Sequence, residues 1–497
     1  MAATLDTRTE QESGTTPDPR RWKALGVLAL IQFMLVLDVT VVNVALPHIQ
    51  HDLGFSRSGL AWVVNGYVLM AGGFLLLGGR MADILGRRRL FLVGVGLFAA
   101  ASATCGAAVV PGMLVASRFV QGLGEALAAP ASLGLIALLF PDPRERMKAL
   151  GMWGGVAGLG GTTGTVISGA LTGLASWRWI FFVNLPVALV ALVAVPRLVS
   201  ESRMVREHAR LRVQGVITGT AGLVLLVDGL LAAATDAWGS LQVLLPVVAG
   251  VALLVAMVVM EARSDAPLIP MRFFRNRTRV VTNVGTLFFA SAFFSYFFLL
   301  TLFEQQILGW SPLQGGLSYV PFGLSIGVGI GIGSGLMPRV GVRPLLTAGF
   351  VGCAIGLVMT SWLGVGSAYA TTVLPGMLVL GLASGVSFPA IGNAALHGVT
   401  GQDSSLASGV QTAMQQVGGA IGLSCLVTLA LRYAAGQVQD GVAPTVAATH
   451  GYALAFRIGA VLLVVGGVLV VSLLERVAPT PRMAGLEVET AEAVLAA

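Results

Sequence analysis

The sequence predicts an all-α, polytopic membrane protein of fourteen spanning helices, and three observations lead to that prediction. Of the 497 residues, 56% are hydrophobic and only 11% are charged, whereas soluble domains carry ~25% charged residues. The apolar residues form runs of about twenty, the length that crosses a bilayer. Most of the 30 Lys and Arg residues lie in every second connection, as in connections that stay in the cytoplasm. The lipid bilayer of the cell membrane is therefore the expected solvent, with both termini cytoplasmic.

The spans follow from the apolar runs and the breakers between them. The predicted spans lie near 24–46, 60–79, 90–110, 113–139, 149–173, 179–199, 215–235, 242–260, 280–303, 316–337, 344–364, 371–396, 405–430 and 452–474. If one span were missing or extra, every later connection would change sides, and the basic residues would no longer fall in every second connection.

Two similar segments lie eight spans apart, GLGEALAAP at 122–130 and GLASGVSFP at 381–389. Many transporters are built from such internal repeats. We therefore predict two six-helix bundles with an inserted helix pair between them, and a cytoplasmic tail at each end. The corresponding ranges are 1–23 (a disordered tail), 24–200, 201–278 (two additional helices with cytoplasmic flanks), 279–475 and 476–497.

Several functional classes are not indicated. The net charge of +7 is not clustered on one segment with aromatic residues, so nucleic acid is not an expected partner. The cysteines lie singly in apolar runs and the histidines at or beyond helix ends, which predicts no disulfide framework and no metal site. No nucleophile–base set lies at membrane depth, so an enzyme is not predicted, and no cofactor is expected.

Asp38 and Arg118 are the first candidates for a functional site. An ionisable group in mid-bilayer costs at least ~2.5–3.5 kcal/mol, so it needs a partner or a role. Asp38 lies ~13 Å below the outer end of the first span and Arg118 ~9 Å below the outer end of the fourth. We expect the two side chains to meet across a polar cavity. The alternatives are a permanent structural ion pair and a pair loosened by protonation of Asp38, which is the minimum for a proton-coupled switch.

Other acidic residues within spans extend this hypothesis. Glu125 follows Arg118 by two helical turns on the same face, near the midplane, and is a second candidate proton or cation site. Asp228 in the seventh span is a third, or it faces polar atoms of a neighbouring helix. Glu304 and Arg457 lie near helix ends, where long side chains reach water easily, and an ordinary solvated role is expected for both.

Two glycine-containing segments are further candidates. GRMADILGRRR at 79–89 places Asp83 among three arginines, either as an ordinary cytoplasmic loop or as a latch that docks on a helix N-terminus in one state. In the fifth span, small residues recur at the spacing that lets helices approach closely. The predicted packing glycines are Gly154, Gly158, Gly160, Gly164 and Gly169.

Taken in order, these segments resemble the major facilitator superfamily, specifically its fourteen-span drug:proton antiporter group (the EmrB/QacA type), over about residues 24–475. LDVTVVNVALPHI in the first span and SRFVQGLGEALAAP in the fourth carry most of the resemblance. It implies that Asp38 and Arg118 take part in proton coupling, and that Asp83 meets the thirteenth span near Ser404. The matching loop residues, expected to stabilise one end state, are Gly79, Asp83, Gly86, Arg87 and Arg88.

The expected function is proton-coupled efflux of small organic molecules, with the proton gradient as energy source and a monomer as the working unit. Asn43, Gln121 and Glu125 are predicted to line the substrate cavity, and acidic residues at 125 and 304 favour a cationic or strongly polar substrate. The alternatives are an exporter of one endogenous metabolite or self-made antibiotic, and, from other classes, a membrane receptor or scaffold or a membrane-embedded enzyme.

Overall fold

The chain folds into a bundle of long helices. The computed structural model describes residues 20–201, 213–264, 267, 269, 271–397 and 404–474, and the regular secondary structure in these ranges is helical. The predicted tails lie outside these ranges, apart from residues 20–23, where the first helix begins. Nine helices precede residue 270: α1 Arg21–Leu53, α2 Ala61–Leu85, α3 Arg87–Gly106, α4 Pro111–Leu139, α5 Pro143–Leu174, α6 Trp179–Phe182, α7 Asn184–Leu198, α8 Gln214–Ala232 and α9 Leu241–Ala262.

The second part of the chain is also built of long helices, and it contains two π-helical turns, which are wider than α-helical turns. A 3₁₀ turn at Met271–Arg275 leads into it, and the π-helical turns cover Phe303–Ile307 and Tyr369–Val373. The helices are α10 Arg277–Leu302, α11 Pro312–Ser318, α12 Val320–Val340, α13 Val342–Thr360, α14 Leu374–Ala395, α15 Ser404–Gln439 and α16 Pro444–Leu473.

Thirteen helical segments of the described chain are long and apolar enough to cross a membrane. Each predicted span coincides with a helix, and the predicted fifth span is the one outside those thirteen. It forms the 32-residue helix α5, whose many glycines and threonines make it less apolar than its neighbours. The all-helical, multi-span fold is thus confirmed, while the count of fourteen and the orientation of the termini stay predictions.

Local sequence signals explain where several helices begin and end. Gly54 ends α1 with a positive φ of 71°, a conformation that glycine adopts without strain. Pro111 begins α4 at a position whose backbone N–H would have no helical partner. Ser311 and Gln314 form a reciprocal capping box at the start of α11. These caps satisfy backbone groups that a helix end leaves open.

The helices form two halves that face each other. In the first half, α4 packs against α2 and α3, and α1 packs against α5 and α7. In the second half, α14 packs against α12 and α13, and α10 packs against α15 and α16. The inserted helices α8 and α9 pack on each other, and α8 also contacts α2 and α15 at the edge of the bundle.

The two ends of the bundle are distinguished by charge. We call the end with the arginine-rich α2–α3 connection the basic end, and the end with the α1–α2 connection the opposite end. At the opposite end the halves are in direct contact, where the Gln305 Nε2 donates to the Val44 carbonyl at 2.7 Å and the Gln306 Nε2 donates to the Gln50 Oε1 at 2.8 Å. Toward the basic end of α5, a Cβ added at glycine 151, 154 or 155 would have no neighbouring heavy atom within 4 Å. The passage between the halves is therefore closed at the opposite end.

Candidate functional site

An ion pair between Asp38 of α1 and Arg118 of α4 lies at the centre of the first half. The Arg118 Nη1 donates to the Asp38 Oδ2, and the side chains of Arg118 and Asp38 are 1% and 0% exposed. Removing both charges from water is costly unless further hydrogen bonds satisfy them. Whether the two side chains can stay ionised therefore depends on the hydrogen bonds around them.

Polar side chains from three more positions complete the carboxylate's shell. The Gln121 Nε2 donates to the Asp38 Oδ1 at 2.7 Å and to the Ser102 Oγ at 2.8 Å, and the Asn184 Nδ2 donates to the Asp38 Oδ1 at 2.9 Å. The described hydrogen-bond partners of Asp38 are thus all N–H donors, which suit an ionised carboxylate, whereas a protonated one would need an amide of Gln121 or Asn184 to turn its oxygen toward the acid. Protonation of Asp38 requires this shell to rearrange.

The guanidinium of Arg118 is held from the other side by the first half itself. Its Nε donates to the Val63 carbonyl at 2.9 Å and its Nη1 to the Gln121 Oε1 at 2.6 Å. The guanidinium carbon also lies 4.2 Å from the ring centroid of Tyr67, in cation–π geometry. Arg118 would therefore keep its position if Asp38 left it, because backbone, amide and aromatic partners remain.

Glu125 lies beside this network. It interacts electrostatically with Asp38 and Arg118, and its carboxyl group lies beside the Tyr67 hydroxyl. Within the described residues, neither the buried Glu125 Oε2 nor that hydroxyl forms a hydrogen bond of good geometry. A buried carboxyl oxygen without a partner is unusual in a native protein. The sequence placed Glu125 on the face of Arg118, and the structure brings both residues together.

The other residues that were predicted to line the cavity or to couple protons differ from one another in burial and in their contacts. Gln121 is fully buried inside the ion-pair network. Asn43 is half-buried, and its Nδ2 donates to the Val39 carbonyl of its own helix at 3.2 Å. Asp228 is exposed in a groove between α8 and α9 and has no described polar contact with Asp38 or Arg118. Asp228 therefore lies apart from the Asp38–Arg118 network, and its role as a third proton site stays a prediction.

The predicted packing glycines of α5 differ in what surrounds them. A Cβ at Gly160 or Gly164 would meet α1, at 3.2 Å from the Phe33 carbonyl oxygen and 2.0 Å from the Thr40 Oγ1. A Cβ at Gly169 would lie 2.5 Å from the Pro312 carbonyl oxygen of α11. Gly154 has no neighbour within 4 Å, so close packing does not explain it, and the surroundings of Gly158 lie outside the described residues.

In the arginine-rich connection, one of the three arginines binds Asp83. Both described side-chain bonds of Asp83 come from Arg87, whose Nη2 lies 2.8 Å and Nε 3.0 Å from the Asp83 Oδ1. Arg87 also donates to the Gly134 carbonyl of α4 at 3.1 Å. The side chain of Ser404 lies outside the described residues, so a contact with Asp83 stays a prediction. Gly79 packs at ordinary distance, 3.6 Å, from Pro130.

Glu201, which no sequence pattern indicated, occupies the helix N-terminus at this connection. Its carboxylate accepts from the backbone N–H groups of Arg88 and Arg89 at 3.1 and 3.0 Å, where the dipole of α3 favours a negative charge. Gly86 has a positive φ of 108°, and a Cβ there would lie 2.6 Å from the Glu201 Oε1. Glu201 follows Gly86 by more than a hundred residues, so no local pattern could reveal the contact.

Asn184 and Ser102 were missed for a similar reason. Each is a single polar residue in an apolar helix, and such residues more often bond to their own backbone. Only the packing of α3 and α7 against α1 and α4 brings Asn184 to Asp38, and Ser102 to the amides of Gln121 and Asn184.

The opposite-end closure rests on glycines of α5 and α11. A Cβ at Gly316 would lie 2.4 Å from the Thr165 carbonyl oxygen, closer than real Cβ contacts come. We expect Gly316→Ala to hold the halves apart at this end and to increase labelling of a cysteine introduced at Thr172. Gly161 also lies on α5, but a Cβ added there would have no neighbouring heavy atom within 4 Å. Gly161→Ala should therefore leave the labelling unchanged. Equal labelling of both variants would contradict this account of the closure.

Comparison with known proteins agrees with this architecture. The sequence matches the Major Facilitator Superfamily over residues 28–423. It is 39% identical over 456 residues to the puromycin resistance protein of Streptomyces alboniger, covering 90% of each chain. It is 38% identical to the lincomycin resistance protein of Streptomyces lincolnensis, covering 82% of this chain and 84% of that one.

Solved structures give the same fold. A bacterial homologue of the human lysosomal transporter Spinster, crystallised in an inward-facing and occupied conformation, superposes with a TM-score of 0.62 at 15% identity. The match covers 92% of this chain and 97% of that one. At this identity the likeness concerns the fold alone.

The family match and the export and resistance proteins among the relatives indicate a multi-pass membrane transporter of small molecules rather than an enzyme. The chain belongs to the Major Facilitator Superfamily. Its assignment to the fourteen-span antiporter group remains a prediction. In the described part of the chain, no group of three or more His, Cys, Asp or Glu residues is placed to hold a metal ion.

Proposed function

We propose that this protein exports small organic molecules of the antibiotic type in exchange for protons, by alternating access of one site to the two membrane faces. The observation that carries the proposal is the buried Asp38–Arg118 pair, whose carboxylate is surrounded only by N–H donors. An ionised acid that cannot accept a proton without rearrangement links proton binding to conformation.

The closed opposite end supports the direction of transport. With the basic end cytoplasmic, as the arginine-rich connections predict, the described state is one that receives substrate from the cytoplasm while Asp38 is ionised. Proton arrival at Asp38 from the other side would then accompany the reverse conformation. Glu125, with its unpartnered carboxyl oxygen beside the pair, is the proposed contact for a cationic group of the substrate.

The energy source proposed is the proton gradient, without a cofactor. A membrane potential of 100 mV acting on one charge supplies ~2.3 kcal/mol, which corresponds to about fiftyfold accumulation of substrate. Because each chain contains both halves and the network lies within the first, we propose that the monomer is the working unit.

The relatives' names provide the probes for the test. We expect inverted membrane vesicles containing this protein to accumulate puromycin or lincomycin when acidified inside, and to lose the accumulation when a protonophore is added. Vesicles without the protein are the control. Accumulation that persists with the protonophore would contradict proton coupling.

The same assay separates a multidrug exporter from an exporter of one endogenous compound. A panel of unrelated cationic and neutral drugs is presented to the vesicles under the same gradient. Transport of several of them supports broad efflux, whereas transport of a single compound supports the narrower alternative.

A further inference from the structure

Glu304, in the π-helical turn that ends α10, is a buried acid outside the site described above. Its position near a helix end predicted that it would reach water, and that prediction is wrong, since the residue is 0% exposed. π-helical turns are rare and frequent at functional sites. Here the wide turn directs Glu304 to α11 and the next residue, Gln305, to α1.

Burial, rather than hydrogen bonding, favours the neutral form of Glu304, which is 0% exposed. The Ser318 Oγ lies 3.0 Å from the Glu304 Oε2 and 2.7 Å from the Gly315 carbonyl oxygen, and it can donate its single proton to either one. The hydroxyl donates to Glu304 when the acid is ionised, and it can accept from a neutral Glu304 when its own proton goes to the Gly315 carbonyl. The other carboxyl oxygen, Oε1, has no partner among the described residues.

The titratable groups near Glu304 do not neutralise a charge on it. Tyr369 donates to the Ser318 carbonyl at 2.7 Å, and Tyr319 shares a hydrogen bond with Thr301 at 3.0 Å. Tyr296 of α10 and His48 of α1, beside Gln305, are the other titratable groups on this side. On α16, Arg457 is exposed and directed at Ser361, and His450 bonds to Gln437. Within the described residues no Lys, Arg or His forms an ion pair with Glu304.

Glu304 is tied to the contact that closes the opposite end. Its partner Ser318 ends α11, and Gly316 of α11 packs directly on the Thr165 backbone of α5. On the other side, the Gln305 side chain bonds to the Val44 carbonyl of α1. Glu304 thus lies between two contacts that join the halves, and separating them would let water reach its carboxyl group.

We propose that Glu304 is a second proton-binding group, and that it must be neutral for the opposite end to close. The proposal rests on the alternating access proposed above, but it assigns Glu304 a different role from Asp38. The proton binds from the opposite-end solution when the halves separate there, and returns to the same solution, so this group controls closure and carries no proton across. Closure is therefore favoured at low pH and lost as the pH on that side rises.

The test measures the width of the opposite end without transport. Spin labels are attached at Leu174→Cys on α5 and Leu317→Cys on α11, two side chains that are 83% and 49% exposed, in a chain whose native cysteines are replaced by alanine. The purified protein is titrated from pH 5.5 to pH 8.5, and the distance between labels is measured by pulsed electron resonance. We expect a single short distance at low pH and a growing longer-distance population at high pH.

Variants decide whether Glu304 is responsible. Glu304→Gln, which mimics the neutral acid, is expected to keep the short distance at all pH values. Ser318→Ala removes the hydroxyl that contacts the acid, and should shift the opening midpoint by about 0.5–1 pH unit. Asp440→Asn, an exposed acid at the same end, should respond like the parent chain.

A parent chain without pH response, or Glu304→Gln with an unchanged response, would overturn the proposal. Because Ser318→Ala keeps the acid, it tests the same idea if Glu304→Gln folds poorly. If vesicles fail to accumulate drug under a proton gradient, the proposed function is contradicted but the pH-dependent closure is not. If the distance between labels does not respond to pH, the pH-dependent closure is contradicted but the proposed function is not.

Discussion

Asp38→Asn is expected to abolish proton-driven accumulation of substrate, lowering it by more than about tenfold. The asparagine amide cannot be ionised, and its NH₂ group would face N–H donors of Gln121 or Asn184. Arg118, 1% exposed, would lose its anion, and breaking a buried pair in this way costs about 3–5 kcal/mol. Vesicle transport with an imposed pH gradient measures the effect.

The matched control is Asp52→Asn at the opposite end. Asp52 also pairs with an arginine, Arg178 at 2.6 Å, but the side chains of Asp52 and Arg178 are 47% and 32% exposed. Exposed pairs contribute ~0.2–1 kcal/mol, so transport should be nearly unchanged. Substrate binding to purified Asp38→Asn protein shows whether the fold is intact. Gradient-driven accumulation at the parent level in Asp38→Asn would remove Asp38 from the mechanism.

Gly122→Ala is expected to lower the stability of the fold substantially. Gly122 is where α4 crosses α2, and a Cβ there would lie 2.2 Å from the Tyr67 carbonyl oxygen. Backbone cannot give way as a flexible side chain can, so α2 would move and take the Tyr67 ring from Arg118. Overpacking of this kind costs about 1–3 kcal/mol. The thermal unfolding midpoint of the purified protein in detergent measures it.

Gly96→Ala on α3 serves as the comparison, because no heavy atom lies within 4 Å of a Cβ there. Alanine is favoured over glycine within a helix by roughly 0.5–1 kcal/mol, so the thermal unfolding midpoint of Gly96→Ala should equal that of the parent protein or exceed it. A midpoint for Gly122→Ala equal to that of Gly96→Ala would show that α2 and α4 are not packed as described.

Much of the site was predictable where depth and helical spacing determine position. Asp38 and Arg118 were placed at matching depths by counting residues from helix ends, and Glu125 by its two-turn offset from Arg118. The same reasoning failed for Glu304, because a helix end need not lie at the bundle surface. For Asp228 it left two alternatives open, since a position along a helix does not tell which side of the helix faces the core.

The sequence by itself determined the membrane class, the helical spans and the candidate ion pair. Apolar run length, charge alternation and helical period are local quantities, and the bilayer forces backbone groups to be satisfied within each helix. Only the tertiary structure decided that Asn184 and Ser102 complete the shell of Asp38, that Glu201 caps α3, and that Glu304 lies at the closed end. These contacts join residues far apart in the chain, so they depend on how helices pack, which no local pattern encodes.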